Sequence, residues 1–306
     1  MLRFLVQRLA TIPLVAIGVI TILFVIFKSV PGDEATLAAG ATSTQAEIEA
    51  MRVRLGLDRP LLIQYAGHIW GLLHLDLGYS STFRGNPLPA ILERIPATLL
   101  LMSSAIAVTV AIGIPAGLVA GANQNRWPDY AISGGVVALL AIPNFWLGMV
   151  LIAVLSVQMR WLPSFGAAGA ASLVIPTIAL SARLIALVAR TTRGMVVEEM
   201  RKDYVRTARA KGLRWKAVLS RHVLRNVLIP IVTVIGLQAG YLLGGSVVVE
   251  RLFAWPGLGD LMLTGVSVRD YTLIQGATLF FVVGFLVINL AVDILYRFIN
   301  PRLRHG

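Results

Sequence analysis

The chain contains no cysteine and only four histidines, His68, His74, His222 and His305. Without thiols it can build no disulfide, iron–sulfur cluster or cysteine nucleophile, and no two histidines stand four apart to frame a zinc site. Charge is scarce as well: Asp, Glu, Lys and Arg make up 14% of the 306 residues, where a soluble domain carries about a quarter. The signatures of soluble catalysis are missing. None of Lys28, Lys202, Lys211 and Lys216 closes a phosphate-binding G-x-x-x-x-G-K-[ST] string, and no H-E-x-x-H or G-x-S-x-G occurs. The chain therefore cannot hydrolyse ATP through a P-loop, and it offers no catalytic triad.

What is plentiful is apolar. Hydrophobic residues make up 57% of the chain and the mean hydropathy is +0.79, which excludes a water-soluble fold and points to a membrane. Crossing a bilayer core takes roughly 20 apolar residues at 1.5 Å each. Six runs qualify: Leu9 to Phe27, Ala97 to Ala122, Tyr130 to Met159, Ser172 to Ala189, Val227 to Val249 and Tyr271 to Tyr296. The first is too long for the apolar core of a cleaved signal, so it is expected to stay as an anchor helix. Pro96 opens the second run harmlessly, whereas Pro115, Pro143, Pro176 and Pro230 fall within or near spans and predict kinks.

The net charge of +12 is unevenly spread. With the N-terminus inside, the inner segments hold 17 cations and four acids, including eleven cations from Arg190 to Arg225, and the outer segments hold nine cations and ten acids. This asymmetry is the positive-inside bias. It predicts both termini inside and makes a nucleic-acid reading of the basic charge unnecessary. Between the first two spans, residues 31–94 should form a small outer subdomain, with its best helical pattern from Thr44 to Leu55.

Two charged residues interrupt the spans. Arg183 is expected to face protein or water, either bordering a substrate passage or bonding a carbonyl or a carboxylate such as Asp293. Asp293 itself stands four residues before Arg297, the spacing of an i,i+4 pair. In the inner loop Asp203 can cap a helix from Tyr204 to Lys211, with Gly212 as its left-handed stop. Arg209 and Lys211 suit the C-terminal dipole, and Ala208 and Ala210 keep part of the surface low enough for another protein to approach. Physics alone favours a basic helix lying on anionic headgroups.

The string DYVRTARAKG from Asp203 to Gly212, preceded by Arg193 and Glu198 and followed by RHVLRNVLIP, resembles the inner loop of the dipeptide/oligopeptide branch of ABC importer permeases. Further along, Gly244-Gly245-Ser246, VVVERLFAWPGLG from Val247 to Gly259, Arg269-Asp270-Tyr271, Gln275-Gly276, Asn289-Leu290, Asp293, Tyr296 and Asn300-Pro301-Arg302 are similar to it in order and spacing. So are LGLDRPLLIQY at Leu55 to Tyr65, LDLGYS at Leu75 to Ser80, ERIPATLLL at Glu93 to Leu101 and IPNFWLG at Ile142 to Gly148. The wider family carries E-A-A-x3-G in the loop. With its glycine on Gly212, the first three positions here are Arg206, Thr207 and Ala208, as in the peptide-type branch.

The resemblance implies an all-α integral membrane protein with six transmembrane helices, the type I ABC importer permease fold. Residues 1–30 would be an anchor, 31–94 an extracytoplasmic subdomain and 95–300 the permease core, with 190–226 as its cytoplasmic coupling loop. It implies Asp203, Tyr204, Thr207, Ala208, Arg209, Ala210, Lys211 and Gly212 as the contact with ATPases, and Arg183 as a candidate for the substrate path. The implied partners are a second homologous permease, two ABC ATPase subunits that bind the ATP and Mg, an extracytoplasmic binding protein and membrane lipid. This chain itself would hold no cofactor or metal. The implied cargo is di- or oligopeptides, with nickel chelates, glutathione or oligosaccharides as alternatives, and the setting a bacterial or archaeal inner membrane. An ion channel would require a ring-forming filter or several charged residues along one span, where only Arg183 and Asp293 stand within spans, and an intramembrane enzyme would require paired catalytic groups at matching depth.

Overall fold

A computed structural model of the chain describes residues 2–30, 34–40 and 43–299. Asn300, Pro301 and Arg302 of the C-terminal pattern, and the side chains of Tyr296 and Arg297, lie outside that description. The helices in chain order are α1 (Leu2–Ser29), α2 (Glu34–Ala39), α3 (Gln45–Arg54), α4 (Leu61–Leu73), α5 (Leu88–Ala122), α6 (Trp127–Ala141), α7 (Asn144–Leu151), α8 (Ala170–Glu199), α9 (Asp203–Ala210), α10 (Trp215–Ala217), α11 (Leu224–Leu252), α12 (Leu258–Val268) and α13 (Tyr271–Ile299). Wider π turns extend α7 over Ile152–Gln158 and link α10 to α11 over Val218–Val223. Among the described residues the extended pairing is limited to one bridge, Ser80 to Gly85.

Among the described residues, five helices are long and apolar enough to cross a bilayer: α1, α5, α8, α11 and α13. The third expected span is not one rod. It bends by 102° between α6 and α7, giving a sixth crossing only if the pair is counted together. The cause is local. Pro143 cannot continue α6, and it drives the preceding Ile142 to extended angles (φ −88°, ψ 124°) before α7 restarts with Pro143 as its N-cap. The backbone stays helical through Pro115, Pro176 and Pro230, so of these prolines Pro143 alone breaks its helix.

The chain divides into two compact units. The first comprises Met1–Thr98 and Pro256–Leu286, so the segment after α1 packs within a unit that also holds α1, α12 and the start of α13. Thr44 accepts from the Glu47 N–H, and the Glu47 carboxylate accepts from the Thr44 N–H at 2.7 Å, a reciprocal cap that starts α3 where the sequence pattern places a helix. These backbone and hydroxyl donors hold the Glu47 carboxyl below the usual carboxylate range. The hydroxyls of Thr21 and Tyr65 meet at 2.6 Å. Asp270 caps α13 through the Leu273 N–H and also accepts from the Ser80 hydroxyl at 2.6 Å and the Thr82 N–H at 2.9 Å. Leu77, Ile91, Leu258, Leu261, Leu273 and Ala277 form the core.

The second unit comprises Leu99–Trp255 and Val287–Gly306. Helix α8 is its centre: 61% of its most apolar stretch is buried, against 6% for α1 and α13. It contacts α6, α7 and α11. Gly113, Gly117 and Gly121 recur every fourth residue on α5 and let α8 approach closely. A β-carbon at Gly117 would stand 2.4 Å from the Thr192 Cβ, and one at Gly121 2.6 Å from the Val196 Cβ.

Candidate functional site

Two features of the second unit hold the site residues expected from the sequence. The first is a cavity of about 640 Å³ among α7, α8 and α11. The structure places Arg183 on its wall, exposed, together with Asn144, Gln238 and Tyr241, and the remaining lining is leucines and Gly245. No acid lines it among the described residues. A guanidinium, two amides and a phenol set in leucine walls form a lining suited to a carboxylate: the cation supplies a fork of donors, and the low local dielectric strengthens the attraction. The search for charged interruptions of the spans finds Arg183 but passes over Asn144, Gln238 and Tyr241, because neutral polar residues do not break an apolar run. Asp293 is half-buried on α13 and lines no part of this cavity.

The second feature is the loop helix α9. It begins at Asp203 rather than Tyr204, and its N-cap is Lys202, extended at φ −75° and ψ 150°. Asp203 is thus a first-turn residue and not the cap; its charge still suits the helix N-terminus. The C-terminal end is as the sequence implies. Gly212 has φ +79°, its N–H donates to the Arg209 carbonyl at 2.9 Å, and the Leu213 N–H donates to the Ala208 carbonyl at 3.2 Å. That pair of bonds is a Schellman stop, which needs the left-handed residue that glycine provides.

One expectation about the surface of α9 is corrected. Ala208 is buried, at 7% exposure, beside fully buried Val205, so it belongs to the face that holds the helix to its own chain. Arg206, Thr207, Arg209, Ala210, Lys211 and Gly212 form the open face. Arg209 lies 4.4 Å over the Trp215 ring, which fixes one of these cations by a cation–π contact.

The start of α9 is tied to both long neighbours. The Tyr204 hydroxyl donates to the Glu199 carboxylate at the end of α8 at 2.5 Å, and the Asn226 amide of α11 donates to the Tyr204 oxygen at 3.2 Å. Lys202 also bonds Glu199. Burial and the carboxylate push the Tyr204 phenol above its ordinary pKa, and Glu199 holds the Lys202 ammonium above its own. Glu199 and Asn226 join α9 from positions 5 and 22 residues away, a meeting that spacing within the loop does not reveal.

Residues 113–305 match the family described as binding-protein-dependent transport system inner membrane component, and residues 1–102 match its N-terminal counterpart. The chain belongs to that family. It is 43% identical, over the full length of both chains, to the glutathione transport system permease protein GsiC of an Escherichia coli O6:H1 strain, and 41% identical over the full length to GsiC of Pectobacterium atrosepticum. An inward-facing structure of the MetNI methionine ABC transporter shares its fold, with a TM-score of 0.61 at 18% identity over 70% of this chain and 98% of that one. The chain is therefore a multi-pass inner-membrane permease subunit of an ABC importer, all-α with the type I fold.

Proposed function

We propose that this permease pairs with a second, related permease chain to form a passage for small peptides, glutathione among them. An extracytoplasmic binding protein delivers the cargo, and two ATPase subunits on the inner face supply the ATP-driven movement through Asp203 to Gly212, which are α9 and its C-terminal stop. The observation that carries the cargo class is the Arg183 cavity: one cation sharing an apolar-walled space with two amides and a phenol attracts the carboxylate that every such peptide bears. Full-length similarity to permeases named for glutathione points the same way. The open face of α9, with Arg206, Arg209 and Lys211, offers the cations and the low Ala210 for a protein partner.

In this reading both termini lie inside. In proteoliposomes containing the assembled importer, Arg183→Gln should slow uptake of anionic and zwitterionic peptides more than that of cationic ones, with complex yield unchanged. Equal loss for all peptides would assign Arg183 a structural role. The orientation has its own readout, since the chain has no cysteine: Arg52→Cys should react with an impermeant thiol reagent from outside, and Arg206→Cys should not. The reverse pattern would overturn the topology.

A further inference from the structure

A second cavity, of about 310 Å³, opens between α5, α6 and α8. Its polar end holds Arg190, Arg193 and Ser133, and Ile132, Val136 and Val137 of α6 form its apolar wall. The depth of this groove follows from its surroundings. Asp129, three residues into α6, is paired with Arg193 on α8, and beside it Trp127 and Tyr130 are 79% and 66% exposed. Exposed Trp and Tyr rings at the end of a span settle at the headgroup level. Helix α6 enters the bundle where α8 leaves it, so Ser133 and Arg190 lie about one turn deeper than the Asp129–Arg193 pair.

The charges leave a positive excess there. Asp129 occupies the Nε and one Nη2 donor of Arg193, which leaves three of the five guanidinium N–H groups. The Arg190 side chain is exposed and makes no hydrogen bond or ion pair among the described residues. Arg126, also exposed, stands at the same end. Cations at the rim, a hydroxyl beside them and a valine-lined wall running deeper reproduce, in order of depth, the phosphodiester and acyl chain of a phospholipid. A water-soluble anion would leave the valine wall bare, and a docking polypeptide would need an acid to answer Arg190 at headgroup depth.

We propose that this groove is a binding site for one phospholipid with an anionic headgroup. Its phosphodiester sits against Arg190 and the spare Arg193 donors, beside Ser133, whose hydroxyl donates to Asp129 at 3.3 Å, and an acyl chain lies along Val136 and Val137. The full chain in detergent should bind phosphatidylglycerol at least about fivefold more tightly than phosphatidylcholine, as read by native mass spectrometry and thermal shift. Arg190→Gln should abolish that preference and Arg190→Lys should keep most of it. Neither change touches a packed contact, so the fold is preserved. Val137→Trp, which fills the groove without altering charge, should weaken both lipids. Equal binding of the two lipids by the native chain, an unchanged preference in Arg190→Gln, or the same thermal shift from inorganic phosphate alone would overturn the proposal. So would Val137→Cys in the assembled importer cross-linking to another protein subunit instead of remaining accessible to lipid-borne reagents.

Discussion

Asp129 and Arg193, 64 residues apart in sequence, are joined by two hydrogen bonds, Nε to Oδ1 and Nη2 to Oδ2, the latter 2.7 Å long. The Asp129 side chain is 2% exposed and also accepts from the Asn125 N–H, so the turn before α6, the helix itself and α8 converge on one carboxylate. The pair fixes how far α6 sits along α8 and hence the depth of everything after it, including the break at Pro143.

Removing one partner should be costly and removing both less so. Asp129→Asn leaves Arg193 without its counter-charge and should destabilise the purified chain by about 3 kcal/mol, the low end for a buried pair because the Arg193 side chain is one-third exposed. Combining it with Arg193→Gln should recover part of that loss. Thermal unfolding in detergent of the single and double variants gives the coupling; additive losses would mean that the two residues act independently.

The glycine row on α5 makes a sharper packing prediction. Gly117→Ala would set a methyl 2.4 Å from the Thr192 Cβ and 2.5 Å from the Ala189 carbonyl oxygen, forcing α5 and α8 apart at a cost of about 1–3 kcal/mol. Gly134→Ala on α6 meets nothing within 4 Å and should leave the melting temperature unchanged or slightly raised. A native melting temperature in Gly117→Ala would show that the two helices do not pack this closely in the membrane.

Tyr204 tests whether α9 moves with α8 and α11. Tyr204→Phe keeps the ring and deletes the bonds to Glu199 and Asn226, of which the one to the carboxylate is worth about 1.5–3 kcal/mol. Assembly should survive, while stimulation of ATP hydrolysis by loaded binding protein should fall several-fold. Asn226→Asp should do the same, because it sets a second carboxylate against Glu199. Unchanged stimulation in both would mean that this polar junction only anchors the loop.

How far the sequence foretells these features depends on the range of the interaction. Spans and loop charges repeat along the chain, so Leu9 to Phe27 and the cation-rich stretch after Arg190 are legible at once. The stop at Gly212 is legible because its cause is a missing β-carbon. The start of α9 is displaced by one residue, since Lys202 and Asp203 can each precede a helix and only the backbone angles at Lys202 decide. Pro143 announces a disturbance but not its size, because a proline kink and a 102° bend share the same local cause. The residues that share a cavity with Arg183 and the ion-pair partner of Asp129 come from other helices, and no period or motif within one segment brings Gln238 into the cavity of Arg183 or Arg193 beside Asp129. Ala208 shows the same limit: alanine fits a docking face and a packed face equally well, and burial against the chain's own loop decides for the second.

That decision changes which variant can test α9 as the element that transmits ATPase movement. Ala208→Trp would break the helix's own packing and so could not separate docking from folding. Ala210 lies on the open face with Arg206, Arg209 and Lys211, and Ala210→Trp adds bulk there without touching the buried side. Gly212→Val acts differently: a β-branched residue at φ +79° costs about 1–2 kcal/mol, enough to undo the Schellman stop and re-aim the helix end while the spans stay intact. If α9 docks on an ATPase subunit, both variants should insert normally, and both should lose stimulation by loaded binding protein. Ala210→Trp should in addition release the ATPase during purification, whereas Gly212→Val should retain it with poor coupling. Normal stimulation in both would assign the cations of the open face to lipid headgroups, and α9 would then be a surface anchor.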